Sequence, residues 1–142
     1  MRSRPALEGF PFSCPVELRF ADVDAMNHVN NAVYVTLLEL ARLRLWQERL
    51  GFSGSAREIP IIVARVSVDY RSPIGLEDTV RIGVGVKAIG RTSFALAYGV
   101  EASGRLAAEA ETVQVHYDYT VGRPLPIAGE LRAKLEALFL DR

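Results

Sequence analysis

The sequence is poor in cysteine, in histidine and in net charge, and each shortage excludes something. Cys14 is the only cysteine, so the chain can form no internal disulfide and no cysteine-based metal cluster. A reducing compartment suits such a chain, and the cytoplasm is its expected location. Lys and Arg number 17, Asp and Glu also 17, and the formal net charge is zero. A nucleic-acid-binding domain would show a basic excess or stripe, so no nucleic acid is expected as a partner. A neutral surface also puts little charge repulsion between copies, and self-association is expected. No apolar run approaches the length that spans a bilayer, so no membrane insertion is expected. The basic start, Met1-Arg2-Ser3-Arg4-Pro5, is interrupted by Glu8, Pro11, Pro15 and Glu17 before an export signal can form.

What remains is ample core material. Of the 142 residues 49% are apolar, which argues against disorder and for one domain with one core. The expected domain covers residues 1–142, with its core at about 16–127 and a C-terminal helix at about 128–140.

Hydrophobic period sets the elements. Val16, Leu18 and Phe20 alternate with Glu17 and Arg19, which predicts a short strand. A helix is predicted from about Asn31 to Leu50, capped by Asn30, stapled by Val29 and Tyr34, and stopped by Gly51. Its apolar face, Tyr34, Leu37, Leu38, Ala41 and Leu45, is widened by Val33, Val35, Leu40 and Leu43. Glu39, Arg42, Trp46 and Arg49 make a mixed polar edge. A helix so apolar must be enclosed, and only a sheet has the area. Alternating runs over 64–70, 80–88, 94–100 and 105–119 supply that sheet, with turns at Gly90-Arg91 and Ser103-Gly104. A phase change near Glu111-Thr112 predicts a bulge. Gly83, Gly85 and Gly99 fall on the non-apolar faces of their strands, where they signal a close approach or simple sheet curvature. Leu131, Leu135 and Leu138 mark the terminal helix, with Glu130 and Lys134 spaced as an i,i+4 pair.

One stretch carries chemistry. Asp22-Val23-Asp24-Ala25-Met26-Asn27-His28-Val29-Asn30-Asn31 gathers two carboxylates, an imidazole and three amides where an extended segment turns into a helix. A helix start offers unpaired N–H groups and partial positive charge. A carboxylate beside them can attack a polarised carbonyl or activate water against it. The stretch therefore points to a hydrolytic site. The spacing of Asp22, Asp24 and His28 matches no standard metal motif, and no metal or other cofactor is expected.

With these elements, the sequence resembles the 4-hydroxybenzoyl-CoA thioesterase family of the hotdog fold. The matching residues are Arg19-Phe20-Ala21-Asp22-Val23-Asp24, His28-Val29-Asn30-Asn31, Tyr34, Glu39 and Arg42. Weaker matches are Val68-Asp69-Tyr70-Arg71-Ser72-Pro73 and Gly90-Arg91-Thr92-Ser93-Phe94. The resemblance implies an α+β hotdog domain, a five-stranded antiparallel sheet wrapped around a long helix. It implies hydrolysis of an acyl-CoA thioester by a homodimer or homotetramer with sites at the subunit interface. It makes Asp24 the catalytic carboxylate and places carbonyl-polarising amides in the His28–Asn31 turn or on a partner chain. Where many relatives have glycine before the histidine, this chain has Asn27, a residue that tolerates positive φ.

Each candidate also has a plainer reading. Asp24 has three readings, nucleophile, general base and simple helix-start charge, and the first two are carried forward together. Asp22 is read as a turn carboxylate bonded to backbone. His28 is carried as the second catalytic candidate, beside a structural role in the turn. Asn30 and Asn31 are cap and turn residues that would also contact substrate. Glu39 is read as an i,i+3 partner of Arg42, and His116 as a structural strand histidine. Arg65, Arg71, Lys87 and Arg91 are candidates for the phosphates of coenzyme A, with Arg65 and Arg91 put forward as substrate-binding. Two rival functions stand: an acyl-CoA-binding domain without turnover, and an enoyl-CoA hydratase.

Overall fold

A computed structural model describes residues 4–142. The basic start, Met1-Arg2-Ser3, lies outside the described residues. Chain order runs β1 (Phe12–Val16), α1 (Asn31–Glu48), β2 (Ile61–Tyr70), β3 (Val80–Ile89), β4 (Ser93–Ala102), β5 (Arg105–Asp118), β6 (Arg123–Pro124) and α2 (Gly129–Glu136). Short 3-10 turns occupy Phe20–Asp22 and Ala56–Glu58. The sheet is antiparallel, ordered β1-β3-β4-β5-β2, and the two-residue β6 pairs with β5. The helix α1 packs on this sheet in the hotdog arrangement that the resemblance implies. Among the described residues, no helix is long and apolar enough to cross a membrane.

The first strand comes earlier than its alternation suggests. β1 ends at Val16, and Phe20 is 83% exposed in a 3-10 turn. Pro11 and Pro15 hide the real strand from a period count, yet Pro15 is tolerated because β1 is an edge. The predicted bulge in β5 exists but sits at Ala107, where Val100 pairs with Ala108 and Glu101 with Leu106. The carbonyl of Ala107 accepts the N–H groups of Arg71 and Ser72.

The helix begins as expected. Asn30 Oδ1 accepts the N–H of Ala32 at 2.9 Å, and Gly51, at φ 71°, lets the chain leave the helix end. Tyr34, Leu37, Leu38, Ala41 and Leu45 are buried. Trp46 is buried too, not on a polar edge. The chain beyond Gly51 returns over it, with the Phe52 ring edge-on at 6.3 Å. Enclosure is partial: Val35 and Leu40 stay 42% and 44% exposed.

The three strand glycines have an internal explanation. The Phe10 ring lies on Gly83 and Gly99, and a Cβ at either would come within 2.8 Å of it. Leu140 of the C-terminal tail covers Gly85. That tail binds β3, with Val86 donating to the Leu138 carbonyl at 2.7 Å. The outer face of the sheet over β3 and β4 is thus roofed by the chain's own ends.

Candidate active site

The Asp22–Asn31 stretch folds as a small closed loop in front of α1. Val23 and Val29 form an isolated antiparallel bridge, and the Asp24 N–H donates to the His28 carbonyl at 2.8 Å. Asp22 is its buried foot. Its carboxylate accepts the Arg19 N–H at 2.7 Å and the Arg19 guanidinium at 2.9 Å, as a turn carboxylate should. Those bonds hold its pKa below the usual carboxylate value.

Asp24 is exposed and lines a cavity of about 440 Å³ with Phe20, Val23, Ala25, Asn27 and Leu76. Its Oδ1 accepts the N–H of Met26 at 2.9 Å and of His28 at 3.1 Å. These backbone bonds, His28's first, hold the carboxyl below its ordinary pKa. At neutral pH the group is an anion whose Oδ2 has no partner among the described residues.

Asn27 makes this geometry possible. It sits at φ 59°, where asparagine strains little. Its side chain also ties the loop down: Nδ2 donates to Glu77 at 2.7 Å, and Oδ1 accepts the Leu76 N–H at 3.1 Å. The loop that carries Leu76 and Glu77 is itself braced. Asp78 accepts the Gly75 N–H at 2.9 Å, and Arg105 pairs with Asp78 at 2.9 Å. Glycine at position 27 would supply the backbone and none of these ties.

Most N–H groups that lead into α1 are already engaged. His28 donates to Asp24, Val29 to the Ile74 carbonyl, and Asn30 to the Asp22 carbonyl. The Asn31 N–H, first in the helix, has no partner among the described residues. It is the open donor at the positive end of α1. Tyr70 stands beside it, donating to the Asn31 carbonyl at 2.9 Å and meeting the Tyr34 ring edge-on at 4.8 Å.

Other candidates fall elsewhere. The His28 imidazole makes no hydrogen bond among the described residues. It lines a second cavity, of about 290 Å³, with Asn31, Tyr34, Tyr70 and Arg71. The peptide of His28, not its ring, orients Asp24. Arg65 lies on the outer face of the sheet, 3.8 Å from Glu111, which also holds Lys87 at 2.7 Å. Arg71 pairs with Glu109 at 2.7 Å. Arg91 sits in the β3–β4 turn, and ten-residue β3 puts that turn roughly 30 Å from the Gly75–Asp78 loop. One chain therefore does not bring Arg91 to Asp24. Among the described residues Glu39 and Arg42 form no ion pair, which departs from their i,i+3 expectation, and both line cavities along α1. His116 is structural, with Nδ1 3.3 Å from the Pro126 carbonyl.

A long helix packed on an antiparallel sheet is the fold of the hotdog thioester hydrolases. The chain belongs to the thioesterase-like superfamily, whose family model matches residues 18–135. It is 30% identical over 126 residues to the long-chain acyl-CoA thioesterase FadM of Escherichia coli K12, covering 87% of this chain and 96% of that protein. A Thermus thermophilus thioesterase, solved in complex with coenzyme A and zinc, is 40% identical. It superposes with a TM-score of 0.82 over 92% of this chain and 95% of its own. The DHNA-CoA thioesterase of Staphylococcus aureus is 25% identical, with a TM-score of 0.77 over 88% of this chain and 90% of its own.

Proposed function

We propose that this protein hydrolyses an acyl-CoA thioester to the free acid and coenzyme A, with Asp24 as the reacting carboxylate. One observation carries the reading. Asp24 is held ionised by two peptide donors, with one oxygen unengaged, in the loop that leads to the open Asn31 N–H. The Asn31 donor would polarise the thioester carbonyl as negative charge builds on its oxygen.

Two routes share this arrangement. Asp24 Oδ2 attacks the carbonyl carbon, the C–S bond breaks, and coenzyme A leaves as a thiolate that takes a proton from solvent. Water then opens the mixed anhydride. Alternatively Asp24 takes a proton from water as that water attacks, and the proton passes to the departing thiolate. In both, the low carboxyl pKa keeps the anion available at neutral pH. The FadM and T. thermophilus relatives support coenzyme A as the thiol carrier.

The catalytic unit in this reading is one domain of 142 residues working as an oligomer in a reducing cytoplasm. The edge of β2 supports the oligomer. β2 has a neighbour on one side only, and Val63, Val66 and Tyr70 are exposed along it beside Val35 and Leu40 of α1. A second copy paired antiparallel along β2 would cover that patch. It would also bring the partner's β3–β4 turn towards the helix start, the one way Arg91 can serve a site that it does not reach alone.

Release of free thiol from a panel of acyl-CoAs tests the reading. Asp24→Asn should fold normally and lose about a hundredfold or more in turnover. Near-full activity in that variant removes Asp24 from the mechanism. Binding without thiol release would favour the non-catalytic domain, and hydration of crotonyl-CoA would favour the hydratase.

A further inference from the structure

Three cavities of this protein line up along the seam between α1 and β2. The first, at the helix start, holds Asn31, Tyr34 and Tyr70. The next is lined by Val35, Leu38, Val66 and Thr112, and shares Glu39, Arg42 and Val63 with the third. That third cavity, of about 420 Å³, is closed by Ile59, Ile61 and Tyr119 and also receives Arg57. From Asn31 to the Thr36–Leu43 segment that lines it, the helix advances roughly 8–18 Å. An acyl group whose thioester lay at the helix start would run towards this cavity.

The walls are apolar, but the charges at the end are unusual. Arg42 is half-buried, and neither it nor Arg57 has a carboxylate within 4.0 Å among the described residues. Glu39 is the one acidic side chain in the lining, so the balance there is one net positive charge, two arginines against one glutamate. Arg42 is also aimed. Its Nη1 donates to the Tyr98 hydroxyl at 3.3 Å, and that hydroxyl bonds Thr112 at 2.7 Å. Thr112 bonds Gln114, whose Nε2 donates to the Phe94 carbonyl at 3.0 Å. Tyr98, Thr112 and Gln114 are each at most 1% exposed. Polar groups placed in a core are costly unless they bond one another, and this chain of bonds ends at Arg42, its charged member, which lines both cavities.

We propose that the cavity is an anion subsite, in which Arg42 and Arg57 hold a negatively charged group carried by the thioester substrate. The inference rests on the thioesterase reading and names a substrate class for it. Two sources share the chemistry: a carboxylate at the far end of the acyl group, and a phosphate of coenzyme A. The seam leads from the helix start to Arg42, which is the path of the acyl end.

The test compares kcat/KM for glutaryl-CoA, pentanoyl-CoA and pentanoyl-pantetheine in the wild type, Arg42→Met and Arg57→Met. A charge-assisted bond is worth about tenfold or more in binding. If the carboxylate is the ligand, the glutaryl-to-pentanoyl ratio falls at least about tenfold in the Met variants. If the phosphate is, the pentanoyl-CoA to pantetheine ratio falls instead. Ratios that stay constant in both variants overturn the subsite. Calorimetric binding of glutaryl-CoA and pentanoyl-CoA to Asp24→Asn, with and without Arg42→Met, reads the same preference without turnover. A wild type that hydrolyses none of these thioesters sinks the thioesterase reading, while the calorimetric ratio still decides the subsite.

Discussion

At the scale of single residues, the site depends on peptide donors more than on neighbouring side chains. Two backbone N–H groups hold Asp24, and their effect on its charge has a measurable consequence. Because the folded pKa lies below the ordinary value of about 3.9, the anion persists on acidification past that point. The acid limb of kcat/KM should therefore fall only below about pH 4 if Asp24 is the essential base, as a stopped assay over pH 3–7 would show. An acid limb well above that range would remove Asp24 as the essential base. Asn27 allows a second check. Asn27→Gly keeps the backbone turn but loses the bonds to Leu76 and Glu77. It should lower kcat several-fold with KM little changed and cost roughly 1 kcal/mol in urea unfolding. Asp24 and the turn were legible in the sequence because residue type announces them. The donor count was not, because which N–H stays open depends on Ile74 and Asp22 carbonyls brought in by folding.

At the scale of elements, local signals held where they were strong. The Asn30 cap, the Gly51 stop, the buried helix stripe and the Ser103-Gly104 turn all formed, the last with φ of 47° and 89°. β1 was displaced because two prolines interrupt its pattern, and Trp46 changed sides because Phe52 returns over it. The strand glycines show a close approach whose partner is invisible to periodicity: Phe10 is far from Gly99 in sequence and lies on it in space. Gly99→Val should force that ring off the sheet and cost about 1–3 kcal/mol. Thermal unfolding reads the loss, and Phe10→Ala in the same chain should restore part of it.

At the scale of the whole molecule, the open feature is the β2 edge with its apolar patch. The chain has no net charge, and the ten-residue β2, paired with β5 on one side, leaves its other edge open to a second copy. Val66→Lys sets a charge in the middle of that patch. Sedimentation should show the wild type as a dimer or larger and shift the variant towards monomer; because Val66 also lines the α1–β2 seam, sedimentation and not activity reads the interface. A wild type that sediments as a monomer at micromolar concentration would remove the second copy from the site.

By itself the sequence determined the fold class, the long capped helix and the acidic turn before it. These follow from short-range causes: hydrophobic period, capping chemistry and the backbone tolerance of Asn27. Tertiary structure alone decided which peptide donor stays open, which arginines are already neutralised by glutamates, and where Arg42 meets the buried Tyr98–Thr112–Gln114 chain. Those outcomes depend on strand register, which joins residues far apart in the chain and leaves no mark on the spacing of any one segment.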